Sequence, residues 1–210
     1  MEDMNSFGSR FQRLVEEQLE DISWGNLWLM IIAAIILVHL VCLMYRRIRE
    51  TEIGAGKEIL FMCLSVYAIF LLHITFLNRE DGSRGGIFTA LSQWIFSGKW
   101  MLSNQFIYDI LNVGLFVPWG LLLTLLRRRD RWLHRILMVS CYCFLTSFAI
   151  ESLQLITNRG YFEVMDIMTN VLGGIVGCFL GCLICSIADK MRDPSSKNGR
   201  EHYEKGYEKR

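Results

Sequence analysis

Hydrophobic residues in this chain gather into five long runs separated by polar stretches. The runs are Asn26–Tyr45, Ile59–Leu77, Ile110–Leu126, Ile136–Ile156 and Ile167–Ala188. Each is close to the roughly 20 residues that a helix rising about 1.5 Å per residue needs to cross a hydrocarbon core. The pattern predicts an all-α, polytopic transmembrane bundle of about five spans. Only two prolines occur in 210 residues, so long helices are little interrupted.

Weaker patterns flank the runs. Phe7, Phe11, Leu14, Val15, Leu19 and Ile22 fall on one stripe, which predicts an amphipathic helix lying on the membrane surface or against a partner. Between the second and third runs, Asn78–Gly86 is polar and glycine-rich. Ile87–Leu102 is apolar and aromatic, with Phe88, Trp94, Phe96 and Trp100, but Gly98 and Lys99 interrupt it. It is too broken to span, and an interfacial or re-entrant helix is expected. From Asp193 the chain is polar and basic, with the composition of a disordered tail. The expected organisation is an extracytoplasmic amphipathic helix over 1–25, a first span with its cytoplasmic loop over 26–58, a main transmembrane domain over 59–188, and a cytoplasmic basic tail over 189–210. The residues before the first run are acidic rather than basic, and that run is too long for a secretory h-region.

Charge orients the bundle. Hydrophobic types make up 52% and charged types 20% of the residues, a mixture that suits a membrane chain because the two classes segregate. One set of loops holds Arg46, Arg47, Arg49 and Lys57, then Arg127, Arg128, Arg129, Arg131 and Arg135, then the basic tail. The opposite loops hold only Arg10, Arg13, Arg79, Arg84, Lys99 and Arg159. The positive-inside rule then places the N-terminus outside and the C-terminus in the cytoplasm. Basic runs beside a bilayer are topogenic, so no nucleic-acid partner is expected; the lipid bilayer is. Trp24 and Trp28 read as outer interfacial anchors and Trp132 as an inner one.

Seven cysteines all lie within apolar runs. Their odd number argues against a disulfide framework, and they read as small packing residues. Cys178, Cys182 and Cys185 share a helical face, with Cys141 and Cys143 at similar depth. A buried metal or redox site is the alternative there, but no metal or cofactor is assigned. His39 reads as a helix-packing residue.

Polar residues within the spans converge on the outer side. Asn78 and Arg79 close the second span, and Asp109 and Asn112 open the third. Glu151 and Gln154 lie near the end of the fourth, Arg159 follows in a short turn, and Asp166 and Asn170 open the fifth. Pairs three or four residues apart share a helix face, and ionisable groups in spans are functional candidates by default. The expectation is an outward-opening polar pocket between the third, fourth and fifth spans. It would be built from Asn112, Glu151, Gln154, Arg159, Asp166 and Asn170, with Asp109, Arg79 and His73 as secondary candidates. The plainer alternative is that these groups only tie helices together.

Gly173, Gly177 and Gly181 recur every four residues, with Gly174 widening the face, which lets another helix approach closely. Pro118 between Gly114 and Gly120 is expected to kink the third span. Walker-type, His-Glu-x-x-His and G-x-S-x-G signatures are absent, so no catalytic motif is recognised and an enzyme is not the first expectation.

Two motifs are similar to those of the VanZ-like family of bacterial membrane proteins, named for a teicoplanin-resistance protein. One is Asn112-x-x-x-Phe116-x-Pro118-x-Gly120. The other is Glu151-x-x-Gln154, then Arg159, then Asp166-x-x-x-Asn170-x-x-Gly173-Gly174-x-x-Gly177. The resemblance covers roughly residues 60–188. It implies a multi-pass protein of the bacterial plasma membrane and cell envelope that lowers susceptibility to teicoplanin-type glycopeptides, an antibiotic-resistance function. It carries no established catalytic residue.

The first functional expectation is therefore a non-enzymatic envelope protein whose outer pocket handles a lipid-linked cell-wall precursor, a glycopeptide or a partner. The second is an intramembrane enzyme modifying an envelope lipid or glycan precursor, with Glu151 and Asp166 in acid–base roles. A small transporter or channel, or a structural interaction partner, remains as a third.

Overall fold

The computed structural model describes residues 7–20, 22–49, 54–77, 87–88, 104–160 and 162–192. Six helices and two short strands follow in order: α1 (Phe7–Glu20), α2 (Trp24–Arg49), α3 (Ala55–Leu72), β1 (Ile87–Phe88), α4 (Asn104–Leu126), α5 (Trp132–Ile156), β2 (Phe162–Glu163) and α6 (Val164–Arg192). A π-helical turn, His73–Leu77, extends α3. Helices α2 to α6 are each long and apolar enough to cross a membrane. The chain is thus an all-helical protein with five candidate spans, and α1 is the amphipathic helix read from the stripe.

The expected helix over 87–102 is not what its first residues form. Ile87 and Phe88 are extended and pair in parallel with Phe162 and Glu163. A partner strand from further along the chain supplies hydrogen bonds that an isolated interfacial turn lacks. The rest of that segment, Arg79 and the tail from 193 lie outside the described residues. The third span also begins earlier than its hydropathy suggests, so that Ile107 and Asp109 already lie inside α4 and are buried.

The centre of the bundle is the contact between α4 and α6, and glycine makes it possible. A Cβ on Gly173 would lie 2.2 Å from the Val113 carbonyl oxygen, and one on Gly177 would lie 2.0 Å from that of Val117. A Cβ on Gly120 would lie 2.1 Å from the Gly174 carbonyl oxygen, and one on Gly181 would meet the Thr124 side chain at 2.8 Å. Gly174 also turns to α5, where a Cβ would lie 2.2 Å from Cys143 Sγ. Without a hydrophobic drive between helices in lipid, such close backbone contact supplies dispersion energy. Phe116, wholly buried, fills the layer beside the glycine stripe. Pro118 lies inside α4 and denies Gly114 its intrahelical donor.

Helix α5 packs on α6, and α3 packs on α4 through Tyr67, whose hydroxyl donates to the Leu115 carbonyl at 2.6 Å. Helix α2 packs principally on α3 and exposes most of its apolar side chains, Trp24 and Trp28 among them. Glu58 on α3 accepts from His39 on α2 at 2.7 Å and pairs with Arg46. His39 therefore packs α2 on α3 through a hydrogen bond across the two helices.

The two ends of the bundle differ. At one end Arg128 pairs with Asp189 and Arg127 with Asp130. Arg135, buried, donates to the Arg128 carbonyl at 2.6 Å and the Asp130 carbonyl at 2.8 Å, and closes the α4–α5 turn. At the other end lie α1, the π turn, the start of α4, the end of α5, and the two strands. Among the described cysteines, Cys42, Cys143, Cys178 and Cys185 are buried, and all seven are free.

Candidate functional site

The polar residues singled out in the sequence gather at the end opposite the arginine-rich turns. Local structure explains the gathering. Helix α5 stops because Asn158 adopts φ 54°, a left-handed conformation that asparagine tolerates at a helix end. The Arg159 amide then donates back to the Gln154 carbonyl at 3.0 Å. The reversal lays the Arg159 guanidinium over the Phe76 ring, 5.4 Å from its centroid. The chain next runs extended through Phe162 and Glu163 and enters α6 with Asp166 in its first turn, where an acid complements the helix dipole.

Buried partners then lock this end. Glu151 is almost wholly buried and its Oε2 accepts the Glu163 amide at 2.9 Å. Gln154, also buried, donates to the Thr75 carbonyl of the π turn at 2.6 Å. Asn170 donates to Ser147 Oγ at 2.9 Å, joining α6 to α5. Three of the expected residues thus tie elements together. They do so with capacity to spare: Gln154 Oε1, Asn170 Oδ1 and both His73 ring nitrogens are buried without a hydrogen-bond partner among the described residues. Asp109 is buried at the same end.

A cavity of about 670 Å³ lies beside this lock. Its polar lining is Tyr67, Thr75, Tyr108, Asn112, Glu163 and Asp166. Its apolar lining includes Ile110, Leu111 and Leu115 on α4, and Phe11 and Val15 on α1. Helix α1 therefore closes one side, held to the bundle by its buried Leu14 and by Phe7 against Phe106, ring centroids 6.1 Å apart. The size falls within the range of small-molecule sites, which combine apolar walls with a few convergent polar groups.

The cavity is not where the sequence placed it. It lies between α1, α3, α4 and the start of α6, and no α5 residue lines it. Of the expected residues, Asn112 and Asp166 face it. Glu151, Gln154 and Arg159 stand behind its wall and hold β2 and the π turn in place, and Asn170 ties α6 to α5. Glu163, Tyr67 and Tyr108 line the cavity without having been singled out. Tyrosines and a lone acid outside the spans give no periodic signal, and only the fold brings them to one wall. Among the described residues no group of three or more His, Cys, Asp or Glu side chains is placed to hold a metal.

Five membrane-length helices and a segregated basic end make this a multi-pass membrane protein. It belongs to the VanZ/LLP1 family, whose family model matches residues 29–185. That span contains both motifs and most of the cavity wall, while α1 precedes it. No curated protein and no solved structure matches the chain.

Proposed function

We propose that this protein is a non-enzymatic component of the bacterial plasma membrane. Its cavity receives an amphiphilic envelope ligand, either a teicoplanin-type glycopeptide or a lipid-linked wall precursor, and so lowers susceptibility to the drug. The arginine-rich end is cytoplasmic by the positive-inside rule, which puts the cavity on the outer side. The observation that carries the reading is the cavity's composition. Apolar walls from α1 and α4 suit an acyl or aromatic portion. Asn112, Tyr67 and Tyr108 suit hydroxyl and amide groups. Glu163 and Asp166 also line it and add acceptors suited to the hydroxyl and amide groups of a sugar–peptide head group. Arg159 is stacked on Phe76 and is not among the residues that line the cavity.

An acid–base pair of Glu151 and Asp166 is the enzymatic alternative. The geometry favours it less, because Glu151 is turned into the bundle toward the Glu163 amide and only Asp166 reaches the cavity.

The test is teicoplanin susceptibility of a deletion strain carrying wild-type protein, Asp166→Asn or Asn112→Leu, with membrane levels matched by immunoblot. Restored resistance with wild type and loss with both variants is expected. Equal resistance from all three would overturn the assignment of the cavity. A changed lipid or muropeptide profile lost in Asp166→Asn would favour the enzymatic alternative.

A further inference from the structure

A second cavity, of about 1000 Å³, lies at the arginine-rich end between α2 and α3, away from the site above. Leu37, Val38, Val41 and Cys42 of α2 and Phe61 of α3 form its apolar wall. Tyr45, Lys57, Ser65 and Arg129 supply its polar groups. The charge pattern is selective. Arg46 is taken up by Glu58, Arg127 by Asp130, Arg128 by Asp189, and Arg135 by backbone carbonyls. Lys57 and Arg129, the two cations that line the cavity, have no carboxylate partner among the described residues, and both are exposed. Among the described residues no acid lines this cavity; of the acids next to its two cations in sequence, Glu58 is occupied by His39 and Arg46 and Asp130 by Arg127. That network also ties α2 to α3 and fixes the width of the cleft. Gly54 and Gly56 line it too, at the start of α3, where no side chain caps the helix and its first amides favour an anion.

We propose that this cleft binds one anionic phospholipid from the leaflet on the arginine-rich side. Lys57 and Arg129 hold the phosphate, and Leu37, Val38, Val41 and Phe61 hold an acyl chain. The apolar wall commits the site to a lipid rather than a free phosphate. Two basic residues near a membrane surface each strengthen anionic-lipid binding about 5-fold, or about 30-fold together.

The test is native mass spectrometry of the full chain in neutral detergent, titrated with dioleoyl phosphatidylglycerol or dioleoyl phosphatidylcholine. Wild type is expected to retain one phosphatidylglycerol about 30-fold more tightly than phosphatidylcholine. The double variant Lys57→Ala, Arg129→Ala is expected to lose that preference. Arg47→Ala with Arg131→Ala, exposed cations of the same end that do not line the cleft, is expected to keep it. Val41→Trp, which fills the cleft with both cations intact, is expected to lose binding. Equal retention of both lipids by wild type, or an equal loss in the Arg47, Arg131 control, would overturn the proposal. Full displacement of the lipid by millimolar glycerol phosphate would also overturn it, because the head group alone would then account for binding.

Discussion

Replacing Gly177 by alanine adds one methyl at the tightest point between α4 and α6. Its Cβ would lie 2.0 Å from the Val117 carbonyl oxygen and 2.8 Å from the Leu121 nitrogen. Ordinary contact begins near 3.4 Å, so the helices must part by on the order of 1 Å for the repulsion to fall away. Both blocking groups are backbone, so no side-chain rotation relieves the clash. Overpacking of this kind costs about 1–3 kcal/mol. Parting the helices also loosens the contacts at Gly173 and Gly181, which lie on the same stripe. For a chain of this length each kcal/mol shifts the melting midpoint by about 2–4 °C, so the clash alone corresponds to a fall of roughly 2–12 °C. Alanine's higher helix propensity acts in the opposite direction by about 1 kcal/mol. Gly114→Ala measures that gain alone, because its Cβ meets nothing within 4 Å. The assay heats each purified full-length variant in detergent and follows the surviving monodisperse fraction by size-exclusion chromatography. A Gly177→Ala protein as stable as Gly114→Ala would refute the backbone contact as the basis of the bundle.

Three further outcomes follow from individual contacts. Gln154→Leu removes the donor to the Thr75 carbonyl and should cost about 1 kcal/mol, with faster hydrogen exchange confined to the π turn; unchanged exchange there would count against the lock. Glu58→Ala leaves His39 and Arg46 without their shared partner. Because both bases are partly exposed, a loss of about 1–3 kcal/mol is expected rather than the full cost of a deeply buried pair, and a melting midpoint equal to wild type would contradict it. Arg135→Lys should be nearly as destabilising as Arg135→Ala in the same assay, since Nη2 donates to the Arg128 and Asp130 carbonyls while Nη1 reaches Cys182 Sγ at 3.3 Å, a spread of partners that one ammonium does not cover; full rescue by lysine would show that charge alone matters.

Much of the fold is local in origin and so was legible along the chain. Hydropathy over about 20 residues marks a span whatever its neighbours are, and all five runs form helices long and apolar enough to cross a membrane. The four-residue glycine period on α6 is a property of one helix, and it announces a close approach without saying to what. The arginines of the α4–α5 turn and the helix ends mark a common end because charge cannot cross lipid cheaply. The conversion of His73–Leu77 into a π turn carried no comparable signal. Neither did the pairing of Ile87–Phe88 with Phe162–Glu163, since each two-residue strand exists only by virtue of the other.

The same division runs through the candidate site. By itself the sequence determined that Glu151, Gln154, Arg159, Asp166, Asn170 and Asn112 lie at one end, because spacing and span position fix their depth. Only the tertiary structure decided which of them face the cavity. That depends on the rotation of each helix about its axis and on which helices are neighbours. The contacts of Gly120, Gly173, Gly174 and Gly177 set both for α4, α5 and α6. They turn Glu151 and Asn170 inward to hold the frame and leave Asn112 and Asp166 on the wall that α1 covers. Depth is a one-dimensional quantity that a chain carries in its order, whereas facing is relational and exists only once the helices have packed.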